Sequence, residues 1–126
     1  MPSIQCMVNV IKRLISPYLY CCIFLSFNVV SKEYLVVLKD HLFYPAEIVV
    51  PANKKVRLLI ENQDSTPEEF DSFDLNREKV LYPNRKSVIY IGPLTPGRYE
   101  FFGEFSPNTA RGAVIVTDKE QPNANN

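Results

Sequence analysis

Hydrophobic and polar residues alternate with a period of two over most of the chain downstream of residue 32. Lys55 to Glu61 sets Val56, Leu58 and Ile60 on one side and Lys55, Arg57 and Glu61 on the other. Phe70 to Leu75 sets Phe70, Ser72 and Asp74 opposite Asp71, Phe73 and Leu75. Glu33 to Leu38, Glu47 to Val50 (closed by Pro51), Lys86 to Ile91, Arg98 to Phe102 and Ala113 to Thr117 read as further strands. Such alternation sends one face of each strand inward and the other to water. The runs are separated by turn residues. Pro96-Gly97 suits a tight turn, and Asn53 and Asn84, each just after a proline-containing stretch, suit left-handed backbone. No long helical period occurs; Asn76-Arg77-Glu78-Lys79 reads as a single turn at most. About seven short strands with turns between them predict an all-β domain, a two-sheet sandwich.

The first 31 residues follow a different pattern. Lys12 and Arg13 precede Leu14 to Val30, which is free of charge and mostly apolar but interrupted by Pro17, Ser26 and Asn28. That length lies at the short end for a bilayer span. A basic head, an apolar middle and a small residue afterwards make a secretory signal, with Ser31 as the expected cleavage point and Met1 or Met7 as the start. Left uncut, the same segment would serve as a membrane anchor, the one route to a membrane that the chain offers. The expected organisation is a signal or anchor over 1–31, a domain over 32–118 and a disordered polar tail over 119–126. The domain is expected in the periplasm.

Composition narrows the chemistry. The chain has 126 residues, enough for one domain, and 46% are hydrophobic. Lys plus Arg and Asp plus Glu both number 14, which argues against a nucleic-acid partner. Cys6, Cys21, Cys22, Met1 and Met7 all lie upstream of Ser31, and His41 is the single histidine. An exported product would hold no disulfide, so packing must stabilise it. No nucleophile–base pair and no glycine-rich phosphate loop can be assembled, so no enzymatic activity is expected.

Gly97-Arg98-Tyr99-Glu100-Phe101-Phe102-Gly103, followed by Glu104 to Gly112 and the Val-rich Ala113-Val114-Ile115-Val116, resembles the last hairpin of cupredoxins. Asn62 to Pro67 resembles the loop that carries their first histidine ligand. A closer similarity is to the cupredoxin-like domain of EfeO-type proteins of bacterial periplasmic iron-uptake systems. The words that carry it are Lys39 to Ile48, Pro67 to Ser72, Leu75 to Lys79, Ile91 to Leu94 with Pro96 to Tyr99, and Phe102 to Phe105. The resemblance implies a Greek-key β-sandwich of cupredoxin type. It also implies an exported accessory role in iron or copper uptake, in metal handling or in docking to a periplasmic or membrane iron-transport component. The alternative is a metal-free interaction module that has kept the sandwich and lost the site.

Laid on the cupredoxin frame, Glu68 stands at the first histidine, Gly103 at the cysteine, Ser106 at the second histidine and Arg111 near the methionine. Type-1 copper needs the thiolate and imidazoles, so it is not expected here. EfeO-type relatives often carry histidine at the positions of Phe73 and Ser106, and this chain departs at both. What remains is oxygen. Glu68, Glu69, Asp71 and Asp74 lie close in sequence, Glu104 is expected at the same pole, and His41 could add one imidazole. Carboxylates suit iron(III) or another hard metal ion better than copper(I). The candidate metal residues are therefore Glu68, Glu69, Asp71, Glu104 and His41. The same residues also fit a solvated acidic loop that keeps a sheet edge from pairing, with His41 bonding a backbone group. Most of the aromatic residues are expected in the core, with Phe105 exposed for docking.

Overall fold

The computed structural model describes residues 32–119. The segment read as a signal and nearly all of the expected tail lie outside the described residues. Nine strands occur among the described residues: β1 (Glu33–Lys39), β2 (Leu42–Tyr44), β3 (Glu47–Pro51), β4 (Val56–Asn62), β5 (Glu68–Ser72), β6 (Arg77–Leu81), β7 (Arg85–Ile91), β8 (Gly97–Gly103) and β9 (Arg111–Thr117). No helix appears among the described residues. The strands form a four-stranded sheet, β2-β1-β4-β7, facing a five-stranded sheet, β3-β9-β8-β5-β6. β1 pairs in parallel with β4, and β3 in parallel with β9. The other ladders are antiparallel.

The alternation read from the sequence sets the core. Val36, Leu38, Val56, Leu58, Ile60, Ile89 and Ile91 point inward from the smaller sheet. Ile48, Val50, Phe70, Phe101, Val114 and Val116 meet them from the larger one. Phe43, Phe70 and Phe101 form a ring cluster, with centroids 6.4, 5.1 and 5.0 Å apart. Each such ring is worth about 3–5 kcal/mol against its alanine replacement. With no cysteine among the described residues, this layer supplies their main cohesion.

The two additional strands were hidden for a physical reason. β6 lies at a sheet edge and only Leu81 is buried, so its first four residues show no alternation. The stretch read as a single turn is instead the start of this edge strand, pairing Arg77 with Ser72 and Glu78 with Asp71. β2 has three residues and is held by a two-residue hairpin, Asp40-His41, between Lys39 and Leu42. Both turn residues have positive φ, 53° and 59°, as a type I′ hairpin requires. Asn53 and Asn84 also have positive φ, as read from the sequence. At Gly92, φ is +84° and a Cβ would run into the Lys54 carbonyl oxygen, so this corner requires glycine.

Candidate functional site

β1–β2, β4–β5 and β8–β9 connections meet at one pole of the sandwich. Asn62, fully buried at the end of β4, ties them from beneath. Its Nδ2 donates to the carbonyls of Thr66 (3.0 Å) and Leu81 (2.9 Å), and its Oδ1 accepts from the Asp64 amide (2.9 Å). Asp64 is thereby aimed at the hairpin turn. Its two carboxylate oxygens accept from the amides of Asp40 (2.7 Å) and His41 (3.0 Å), which fixes the left-handed pair. His41 Nδ1 lies 3.8 Å from Asp64 Oδ2 and 3.3 Å from Ser106 Oγ. The lone imidazole therefore joins the hairpin turn to the β8–β9 loop.

Glu68 and Glu69 are adjacent in β5 and point to opposite faces. Glu68 is 1% exposed. Its Oε1 accepts from the amides of Glu69 (3.0 Å) and Phe105 (2.8 Å), while its Oε2 is buried with no hydrogen-bond partner. The carboxyl fills the space beside Gly103. A Cβ on that glycine would stand 2.6 Å from Glu68 Cδ and 2.8 Å from Ala110 Cβ.

The other acidic residues gather on the outer face of the five-stranded sheet. Glu69 and Asp71 project from β5, Glu78 stands across from Asp71 on β6, and the Glu104 amide donates to the Glu69 carbonyl (2.8 Å). The Glu69 carboxyl is held above the usual glutamate range. Its hydrogen bond with the Glu78 carboxyl is the main cause, followed by partial desolvation and the negative charges of Glu78, Asp71 and Glu104. Beside this cluster Phe102 of β8 faces outward opposite Asp71, and its ring lies 5.7 Å from that of Phe73. Phe73, Asp74, Glu100, Phe102, Pro107 and Arg111 line a groove of about 330 Å³.

The expected metal residues thus fall into three environments. Glu68 is enclosed, His41 is tied into the turn network, and Glu69, Asp71 and Glu104 share the acidic face. Among the described residues, no group of three or more His, Cys, Asp or Glu side chains is placed to hold a metal ion. Phe105 is exposed as read from the sequence. Phe73, against the expectation that most of the aromatic residues are core, is 82% exposed, because β5 ends at Ser72 and the chain turns through Asn76 at φ 50°. Glu78 was also missed; an edge strand carries no pattern that would have marked it.

A family model described as Cupredoxin-like domain matches residues 18–116. The chain belongs to the cupredoxin-like domain family. A protein of Rickettsia prowazekii (strain Madrid E), itself described as uncharacterized, is 48% identical over 86 residues, covering 68% of this chain and 69% of its own. Among solved structures, auracyanin A, a blue copper protein from Chloroflexus aurantiacus, matches with a TM-score of 0.59 at 11% identity. That match covers 68% of this chain and 98% of auracyanin A. A purple cupredoxin from Nitrosopumilus maritimus matches with a TM-score of 0.52 at 18% identity, covering 67% and 99% respectively. At these identities the two structures establish the fold alone.

The cupredoxin fold raises the question of copper, and the described residues do not fit a type-1 site. At the pole, Glu68 and Ser106 offer oxygen and Gly103 offers no side chain. The enclosed carboxyl also takes the volume that a cysteine at 103 would need. Copper(I) prefers thiolate and imidazole donors over carboxylate and hydroxyl.

Proposed function

We propose that this cupredoxin-like domain is an exported docking module that works without type-1 copper and receives a positively charged partner on the outer face of its five-stranded sheet. The observation that carries this reading is the juxtaposition of Glu69, Asp71, Glu78 and Glu104 with the exposed Phe73 and the half-buried Phe102 beside it. Carboxylates around a groove steer and register a basic partner, and an exposed aromatic residue supplies an anchor whose burial adds affinity. Like charges pressed together, as at Glu69 and Glu78, are relieved when a cation arrives. The resemblance of the chain to EfeO-type domains makes a component of an iron-uptake system the first partner to test. The basic and apolar leader supports export to the periplasm, with the leader either removed or kept as an anchor.

The reading is tested by titrating the full chain with a soluble peptide of alternating lysine and leucine, and with a glutamate–leucine counterpart. The lysine peptide is expected to bind, more weakly as salt rises, and to lose affinity at least tenfold in Phe73→Ala and Glu78→Gln. Equal binding of both peptides, or binding untouched by the two substitutions, would overturn it. The same calorimetry with iron(III), manganese(II) and copper(II) addresses metal handling. Heat that disappears in Glu69→Gln or Asp71→Asn would favour a hard-metal role for this face instead.

A further inference from the structure

The second sheet presents a face of another character. On its outer side β1 carries Glu33, Leu35 and Val37, β4 carries Arg57, Leu59 and Glu61, and β7 carries Lys86, Val88 and Tyr90. The ladder registers align them in rows. Leu35 pairs with Leu59, and Leu59 with Val88, making one apolar row across three strands. On one side of it lie Glu33, Arg57 and Tyr90; on the other lie Val37, Glu61 and Lys86. Tyr44 of β2 extends the apolar surface beside Val37. Leu35, Tyr44 and Tyr90 are 49%, 51% and 49% exposed, so the large apolar groups of this face meet water. A sheet face of this kind is normally covered.

From this arrangement we propose that the chain forms a two-fold symmetric dimer through the outer face of its four-stranded sheet. The charge pattern selects the occupant. The face carries Glu33 and Glu61 against Arg57 and Lys86 beside the apolar row, with Lys55 Nζ 4.6 Å from the Tyr90 ring at its end, so it gives no strong preference for a basic or an acidic partner. It is, however, complementary to itself. A two-fold axis laid along the Leu35–Leu59–Val88 row runs the strands of the two copies antiparallel and stacks each apolar residue on its own counterpart. The same rotation brings Arg57 against Glu61 of the second copy, and Tyr90 against Lys86 of the second copy. The first is an ion pair made twice. The second sets a cation beside a ring that already has Lys55 Nζ 4.6 Å from its centroid, also made twice, while Glu33 comes against Val37 of the second copy. Arg57 already pairs with Glu33 within the chain, so its guanidinium is pre-positioned at the edge of the apolar row. Aligned packing of two such sheets needs no rearrangement of backbone. The five-stranded sheet is less suited to this purpose, since on its outer face Glu69, Asp71, Glu78, Glu100 and Glu104 outnumber Arg98 and Arg111. The dimer is independent of the docking role assigned to that face.

Sedimentation equilibrium of the full chain tests the proposal. A monomer–dimer equilibrium is expected. Glu61→Arg sets Arg57 against a like charge and is expected to weaken dimerisation about tenfold or more; Arg57→Glu does the same with the opposite sign. The double variant Arg57→Glu/Glu61→Arg restores the pair and is expected to recover most of the affinity, the signature of a reciprocal contact. In a background with Cys6, Cys21 and Cys22 changed to Ser, Leu59→Cys is expected to form a symmetric disulfide on mild oxidation. Unchanged thermal unfolding of each variant separates lost association from lost folding. A chain monomeric at every concentration would overturn the proposal. So would a dimer insensitive to both single charge changes, or a monomer that uses this face to bind phosphatidylglycerol vesicles.

Discussion

The carboxyl group of Glu68 occupies the ground that a side chain on Gly103 would need. A Cβ there would stand 2.6 Å from Glu68 Cδ, far inside contact distance. Glycine at 103 and glutamate at 68 are therefore one structural unit, in which the missing side chain of one residue makes room for the other. Adding a methyl group by Gly103→Ala overpacks an enclosed site and is expected to cost about 2–3 kcal/mol in urea denaturation. Glu68→Ala/Gly103→Ala is expected to lose less than the sum of the single changes, because the smaller residue at 68 removes the clash.

Asn62 anchors the loops of the same pole from a fully buried position. Asn62→Ala strands the carbonyls of Thr66 and Leu81 and the amide of Asp64, and it releases the carboxylate that holds the Asp40-His41 turn. A loss of about 3 kcal/mol is expected, read as a lowered thermal midpoint. Faster amide exchange at Asp40 and His41 than in the core strands would show that the turn loosens first.

His41 has a left-handed backbone, at φ 59°, in the second position of a two-residue hairpin. Glycine is the preferred residue there. His41→Gly is expected to leave stability within about 1 kcal/mol of the parent, since relief of the backbone offsets the lost contact with Ser106. A marked fall in the thermal midpoint would show that the imidazole does more than join two loops.

The Glu69 carboxyl, held above the usual glutamate range by Glu78, ties the stability of the fold to pH. A carboxyl with a folded-state pKa above its unfolded value binds its proton more readily when folded. Its effect on stability is therefore unfavourable once pH exceeds the folded pKa, and it vanishes below the ordinary value of 4.5. Glu69→Gln, which keeps a hydrogen-bonding side chain and removes the charge, is expected to be more stable than the parent at neutral pH. The two melting curves are expected to converge as the solution is acidified below the glutamate range. A gain that persists at low pH would point to packing rather than charge.

Much of the fold was legible in the residues themselves. Alternation in Lys55 to Glu61 and in Phe70 to Ser72, and left-handed asparagine at 53 and 84, follow from local geometry. Period and backbone preference are properties of short segments. The absence of sulfur ligands downstream of Ser31, and with it the argument against type-1 copper, was likewise plain from composition. Other features depended on residues far apart in sequence. Edge strand β6 buries only Leu81, too little to pattern it, so only its pairing with β5 reveals it. Phe73 leaves the core because the chain turns there. Adjacent glutamates part company, Glu68 into an enclosed slot opened by a glycine thirty-five residues later in the chain, Glu69 onto an acidic face completed by Glu78 and Glu104. Local sequence determines which way a strand alternates; which charges and rings finally share a surface is decided only when distant strands pair.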